Sequence, residues 1–127
     1  MSLMSIRCSK ITSLDVSKFD ASFNISGMFS DCKYLTSIDI SKFDTSNIED
    51  IHELFLSCIE IKELNLNNFK ISNVKNMNLM LYHCVSLKSL NLSNFDTSQV
   101  VSMNRMFYFC YSLDKLNLSN FDTSKVT

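Results

Sequence analysis

The sequence predicts an α/β solenoid, a right-handed array of about five rungs with a parallel β-sheet on one face and short helices opposite. Three observations carry that expectation. Cysteines fall at Cys8, Cys32, Cys58, Cys84 and Cys110, at intervals of 24, 26, 26 and 26 residues. Phenylalanines fall at Phe19, Phe43, Phe69, Phe95 and Phe121 with the same intervals, each 11 positions after its cysteine. Around them one phrase recurs: SKFDAS from Ser17, SKFDTS from Ser41, NNFKIS from Asn67, and SNFDTS from Ser93 and again from Ser119. Composition bias cannot hold two residue types in one register along a whole chain, whereas stacked units require it.

Each unit reads C-x-x-L-x-x-L-x-L-x-x-F-D-T-S-x-V-x-x-M-x-x-M-F. The unit opening at Cys84 follows the pattern most fully, through Leu87, Leu90, Leu92, Phe95, Val100, Met103, Met106 and Phe107. Alternation at Leu90-Asn91-Leu92 predicts a strand with one face inward. An extended DTSxV segment follows. Met103, Met106, Phe107 and Cys110 then step by three, one and three. Those steps predict a helix of about two turns over 103–110 and its equivalents. The first unit is two residues short, with the gap between Ser22 and Ile25, and connections tolerate such deletions better than helices do. One unit cannot bury its own apolar stripe, so units stack, and each phenylalanine should lie on that of the neighbouring rung. Strand, helix and period together give the leucine-rich-repeat pattern.

The expected organisation is a single array over residues 1–127, cut at both ends. Met1 and Met4 stand to Cys8 as Met103 and Met106 stand to Cys110, so the opening residues read as the close of an earlier unit. The unit starting at Cys110 stops part-way, at Thr127. Terminal repeats normally carry a polar cap, and its lack here leads to an expectation of end-to-end self-association, or of frayed termini, at high concentration.

Composition narrows the function. Twelve basic and thirteen acidic residues give a net charge of -1, which argues against a nucleic-acid partner. No apolar run approaches the roughly 18–20 residues of a membrane span, so no membrane insertion is expected. The opening MSLMSIRCSK lacks the charged and apolar regions of a secretion signal. With one glycine and no proline, the turns fall to Asn, Ser and Asp side chains.

The residues that suggest chemistry have simpler roles. Cysteines recurring once per rung spread along the array and do not converge as metal ligands must; they read as a buried column of small apolar groups. His83 beside Cys84 lacks the orienting group and oxyanion site that a nucleophile needs. Asp20, Asp44, Asp96 and Asp122 form a column interrupted by Lys70, and Asp before Thr or Ser is a turn motif before it is a calcium ladder. No enzyme activity, cofactor or metal is expected.

Binding is the remaining expectation. Between the inward leucines, Ser37, Glu63, Ser89 and Lys115 form one outward column and Asp39, Asn65, Asn91 and Asn117 the next. This sheet face is the candidate binding surface. Tyr34, Tyr82, Tyr108 and Tyr111 gather around the cysteine-bearing corner and form a rival edge.

At these residues the chain resembles a known family. MFYFCYSLDKLNLSNFDTSKVT is similar to the repeat of the BspA-like leucine-rich-repeat surface proteins of mycoplasmas, lactobacilli, spirochaetes and some protozoan parasites. The resemblance covers essentially the whole chain. It implies a non-enzymatic module at the cell surface, in contact with a protein or another extracellular macromolecule. The alternative is a structural spacer or intracellular scaffold with no specific ligand. The third phrase departs from the pattern, with Lys70 and Ile71 where Asp and Thr are usual.

Overall fold

The computed structural model describes residue 10, residues 12–16 and residues 24–127. Four three-residue strands form: β1 (Ser13–Asp15), β2 (Ser37–Asp39), β3 (Ser89–Asn91) and β4 (Lys115–Asn117). They make two parallel pairs, β1 with β2 and β3 with β4. Leu14 lies opposite Ile38, 24 residues on, and Leu90 opposite Leu116, 26 residues on. A bridge from Glu63 to Ser89 continues this ladder, and Asp50, Asn76 and Ser102 form a second one. Successive units therefore lie on one another in the register of the repeat. Cys8, Phe19 and the rest of the opening phrase lie outside the described residues.

The expected α/β solenoid, a right-handed array of about five rungs with one parallel sheet and short helices opposite, does not form: among the described residues there is no helix, and only four short strands in two two-stranded sheets. Backbone conformation gives the reason. Gly27, Glu53, Leu79 and Arg105 share one place in the unit and all have φ between 53° and 63°. Asp31, Ser57, His83 and Phe109, four positions further on, have φ between 58° and 63°. A right-handed helix cannot contain two left-handed residues one turn apart. In place of helical bonds, six of these residues, all but Arg105 and Phe109, turn their N–H to the next unit. Gly27 donates to His52 O at 2.9 Å, Glu53 to Asn78 O at 2.9 Å and Leu79 to Asn104 O at 2.9 Å. Ser57 donates to Tyr82 O and His83 to Tyr108 O, both at 2.8 Å. Between them the chain closes tight turns, such as Ser30 N–H to Gly27 O and Cys32 N–H to Phe29 O. The steps of three, one and three remain, because two successive turns bury the same positions that a helix would.

The core runs through the array as columns. Leu35, Ile61 and Leu87, then Ile40, Leu66 and Leu92, are buried in successive units, as are Cys32, Cys58 and Cys84. Phe43, Phe69 and Phe95 are buried too. Ring-on-ring contact runs elsewhere: Phe29 stacks on Phe55 at 5.4 Å between centroids and meets Phe43 at 6.3 Å.

The repeated phrase builds the corner. Asp44, Asp96 and Asp122 each accept the N–H two residues on, from Ser46, Ser98 and Ser124, at 3.1, 3.1 and 2.8 Å. Thr45 Oγ1 donates to Lys70 O and accepts the Lys70 N–H, and Thr97 does the same with Asp122. Both threonines are buried, so each hydroxyl satisfies a backbone donor and acceptor of the next unit. In the third phrase Ile71 fills the same place with apolar contact alone, 2% exposed. The Ser46 hydroxyl and N–H hold the Asp44 carboxyl below its ordinary range, with a smaller pull from Lys70, whereas Asp122 pushes the Asp96 carboxyl the other way.

Candidate functional site

Two surfaces remain after the stacking is accounted for. The first is the sheet face. Ser37, Asp39, Glu63, Asn65, Ser89, Asn91, Lys115 and Asn117 are all exposed, on or beside strands that hold them in two columns. The second column is already engaged. Asp39 accepts the Ser41 N–H at 3.0 Å, Asn65 the Asn67 N–H at 3.0 Å, Asn91 the Ser93 N–H at 3.0 Å and Asn117 the Ser119 N–H at 3.1 Å. The Ser41 hydroxyl and N–H hold the Asp39 carboxyl below its ordinary range. These side chains close the turn after each strand. Sequence reasoning placed them on the surface but missed that work.

A hollow at the phenylalanine corner, about 620 Å³ and open to solvent, is lined by Lys42, Asp44, Asn68, Lys70 and Asn94 among others. Its amides also serve the stack. Asn94 Nδ2 donates to the carbonyls of Leu66, Asn67 and Phe69, and Asn68 Nδ2 to Ser41 O at 2.6 Å.

The second surface is aromatic. Tyr82 and Tyr108 stack at 5.8 Å with ring planes 17° apart. Phe109 lies 4.2 Å from Tyr108, 5.5 Å from Tyr82, 5.7 Å from His83 and 5.6 Å from Tyr111. The Arg105 guanidinium sits 5.9 Å from the Tyr108 ring, a cation–π distance. Tyr108 is 51% exposed and Tyr111 73%. The left-handed column aims this patch, because His83 and Phe109 occupy it in neighbouring units and Arg105 occupies the column before. Of the rival edge read from sequence, Tyr82, Tyr108 and Tyr111 come together. Tyr34, exposed and in line with Glu60 and Ser86, is not part of the cluster. His83, Phe109 and Arg105 were missed; the 26-residue spacing of His83 and Phe109 was the available signal.

The thiols point into the stack. Cys58, Cys84 and Cys110 donate from Sγ to the carbonyls of Phe29, Phe55 and Leu81, at 3.2, 3.2 and 3.1 Å. Burial pushes the Cys84 thiol far above its ordinary range and the Cys110 thiol upward as well. Burial of this kind disfavours the thiolate that nucleophilic attack requires. His52 pairs with Asp50 through Nδ1 at 2.8 Å, and its N–H donates to the same oxygen at 2.9 Å, which makes a local turn. Among the described residues no three His, Cys, Asp or Glu side chains are grouped to hold a metal, and no helix is long and apolar enough to cross a membrane.

Parallel units in register, thiol and threonine columns and an exposed aromatic edge define a tandem-repeat protein. The chain belongs to the DUF285 family, described as a Mycoplasma protein of unknown function, whose model matches residues 1–91 and 23–127. That membership agrees with the resemblance to BspA-like repeats. Among solved structures the chain is similar to a leucine-rich cell surface protein from Faecalibacterium prausnitzii, at 14% identity and a TM-score of 0.48. The match covers 89% of this chain and 33% of that one, so the chain spans about a third of that protein's length. No curated protein matches.

Proposed function

We propose that this chain is a non-catalytic module of a microbial surface protein that holds a protein, or another extracellular macromolecule, through its aromatic edge. One observation carries the reading: exposed Tyr108, Tyr111 and Arg105 form a contiguous cluster with half-buried Tyr82 and Phe109. Tyr and Arg are enriched at the hot spots of protein contacts; Tyr buries a large ring at little entropic cost and keeps a polar tip, and Arg adds a planar fork of donors. The Asn and Asp column of the sheet face is a poorer anchor, since one oxygen of each side chain already serves its own turn. Membership of a repeat family and the resemblance to surface repeats support display outside the cell.

The test is adhesion of fluorescently labelled protein to cultured epithelial cells. Tyr108→Ala and Tyr82→Ala should each lower apparent affinity by roughly 30-fold, the size of a hot-spot loss. Ser89→Lys is the sheet-face control. It is benign to the fold because Lys115 fills the same place one unit on. Loss of adhesion in Ser89→Lys alone would move the site to the sheet face. No adhesion by any form would leave the spacer reading.

A further inference from the structure

We infer that the hollow at the phenylalanine corner, between the second and third phrases, binds an acidic saccharide, with the sugar carboxylate held between Lys42 and Lys70. The site lies in inner units of the array and is separate from the aromatic edge. Both lysines depart from the repeat. The place of Lys42 carries Asn68, Asn94 and Asn120 in later units, and the place of Lys70 carries Asp44, Asp96 and Asp122. Stacking therefore requires neither cation, yet both border one hollow of about 620 Å³. That volume lies within the roughly 300–1,000 Å³ of small-ligand sites. Both lysines are exposed, and neither ammonium is in an ion pair among the described residues.

The rest of the lining supplies acceptors. Asn68 gives its amide N–H to Ser41 O, and Asn94 gives its own to the carbonyls of Leu66, Asn67 and Phe69. Their amide oxygens are left with no donor among the described residues. Ser72 adds an exposed hydroxyl. Asp44 also borders the hollow, with one oxygen already taken by the Ser46 N–H at 3.1 Å. Phe43, Phe69 and Ile71 lie beneath and are buried.

This mixture selects the ligand. Two ammonium groups attract a carboxylate as point charges, and amide oxygens accept from the hydroxyls that a sugar ring carries. A bare inorganic anion would use the lysines alone and would be opposed by Asp44. A neutral sugar would leave both cations unused. An acidic peptide would find no exposed aromatic anchor, since the rings of Phe43 and Phe69 are buried.

Two-dimensional NMR of the isotope-labelled chain, titrated with the methyl glycosides of N-acetylneuraminic acid and of glucuronic acid, tests this. At least one should give saturable shifts confined to residues 41–44, 67–72 and 94. Preference for the first points to a chain-terminal sugar as the source, and preference for the second to an acidic polysaccharide. Lys42→Asn and Lys70→Asp install residues that neighbouring units already carry, so each should keep the wild-type urea midpoint. Each should weaken binding about tenfold, the size of one charge-assisted contact, and the double variant should abolish it. Methyl glucoside, sodium sulfate and tetraglutamate should all bind far more weakly than the acidic sugar. The inference is overturned if neither acidic sugar gives saturable shifts, or if the double variant binds as the wild type does. Binding of sulfate, methyl glucoside or tetraglutamate as tight as that of the acidic sugar overturns it too.

Discussion

Glycine and a larger residue can be exchanged at one column of this array, and the sign of the result distinguishes a left-handed turn from a helix. Gly27 and Glu53 stand at equivalent places, with φ 63° and 57°. A Cβ added at Gly27 meets nothing within 4 Å, so Gly27→Ala reports backbone strain alone. A non-glycine residue in this region costs about 1–2 kcal/mol. Against that, glycine loses about 0.5–1 kcal/mol more than alanine in conformational entropy on folding. The difference leaves Gly27→Ala destabilising, and Glu53→Gly stabilising, each on the order of 0.5–1 kcal/mol. A helix predicts the reverse, since glycine inside a helix is worse than alanine by about 0.5–1 kcal/mol. Urea unfolding followed by circular dichroism resolves the two, and the thermal midpoint should move by roughly 2–5 °C in the same direction. A stabilised Gly27→Ala together with a destabilised Glu53→Gly would refute the left-handed column and restore the helix.

Two further outcomes follow from the corner. Thr97→Val keeps the shape but strands the Asp122 N–H and C=O that the hydroxyl now satisfies at 2.7 and 3.0 Å. It should cost about 1–3 kcal/mol in urea melts, and a loss below about 0.5 kcal/mol would show that the hydroxyl is dispensable. Asp39, Asp44, Asp96 and Asp122 all have carboxyls held below the ordinary value, chiefly by bonds from the serine two residues on. The unfolded chain therefore takes up protons first as pH falls. The stabilisation is complete above about pH 4 and is lost as pH drops through the lower folded values. The thermal midpoint should fall in that window and fall less in the Asp44→Asn, Asp96→Asn, Asp122→Asn variant. A wild-type midpoint that is flat to about pH 2.5 would contradict the assignment.

The period and the inward columns were legible in the sequence because stacking imposes the same burial on successive inner units. Leu87, Leu92 and Phe95 were placed from their spacing alone, and all three are buried. The helix was not legible as an error. Met103, Met106, Phe107 and Cys110 satisfy helical spacing, and periodicity records which residues are inward, not the sign of φ between them. One clue was present. The chain's only glycine, Gly27, falls at a left-handed place, but Glu53, Leu79 and Arg105 occupy the same column and hide it. The roles of Asp39, Asn65, Asn91 and Asn117 were half legible: their alternation puts them outside, while their bonds to the turn are local and leave no period of their own.

In a repeat array, what every unit shares is what stacking needs, and what only some units carry needs another reason. The column 30, 56, 82 and 108 reads Ser, Leu, Tyr, Tyr, and the column 31, 57, 83 and 109 reads Asp, Ser, His, Phe. The first two units stack without an aromatic residue at either place, so the edge formed by the last two is not required by the fold. The second of these columns is left-handed throughout, with Phe109 at φ 63° and His83 at 62°. A bulky side chain is poorly suited to that conformation, and a smaller one serves at Ser57. Strain retained where a cheaper residue would fold as well points to a use for the side chain itself. That separates the aromatic edge from the Asn and Asp column, which is exposed and repeated but already accounted for by its own turns.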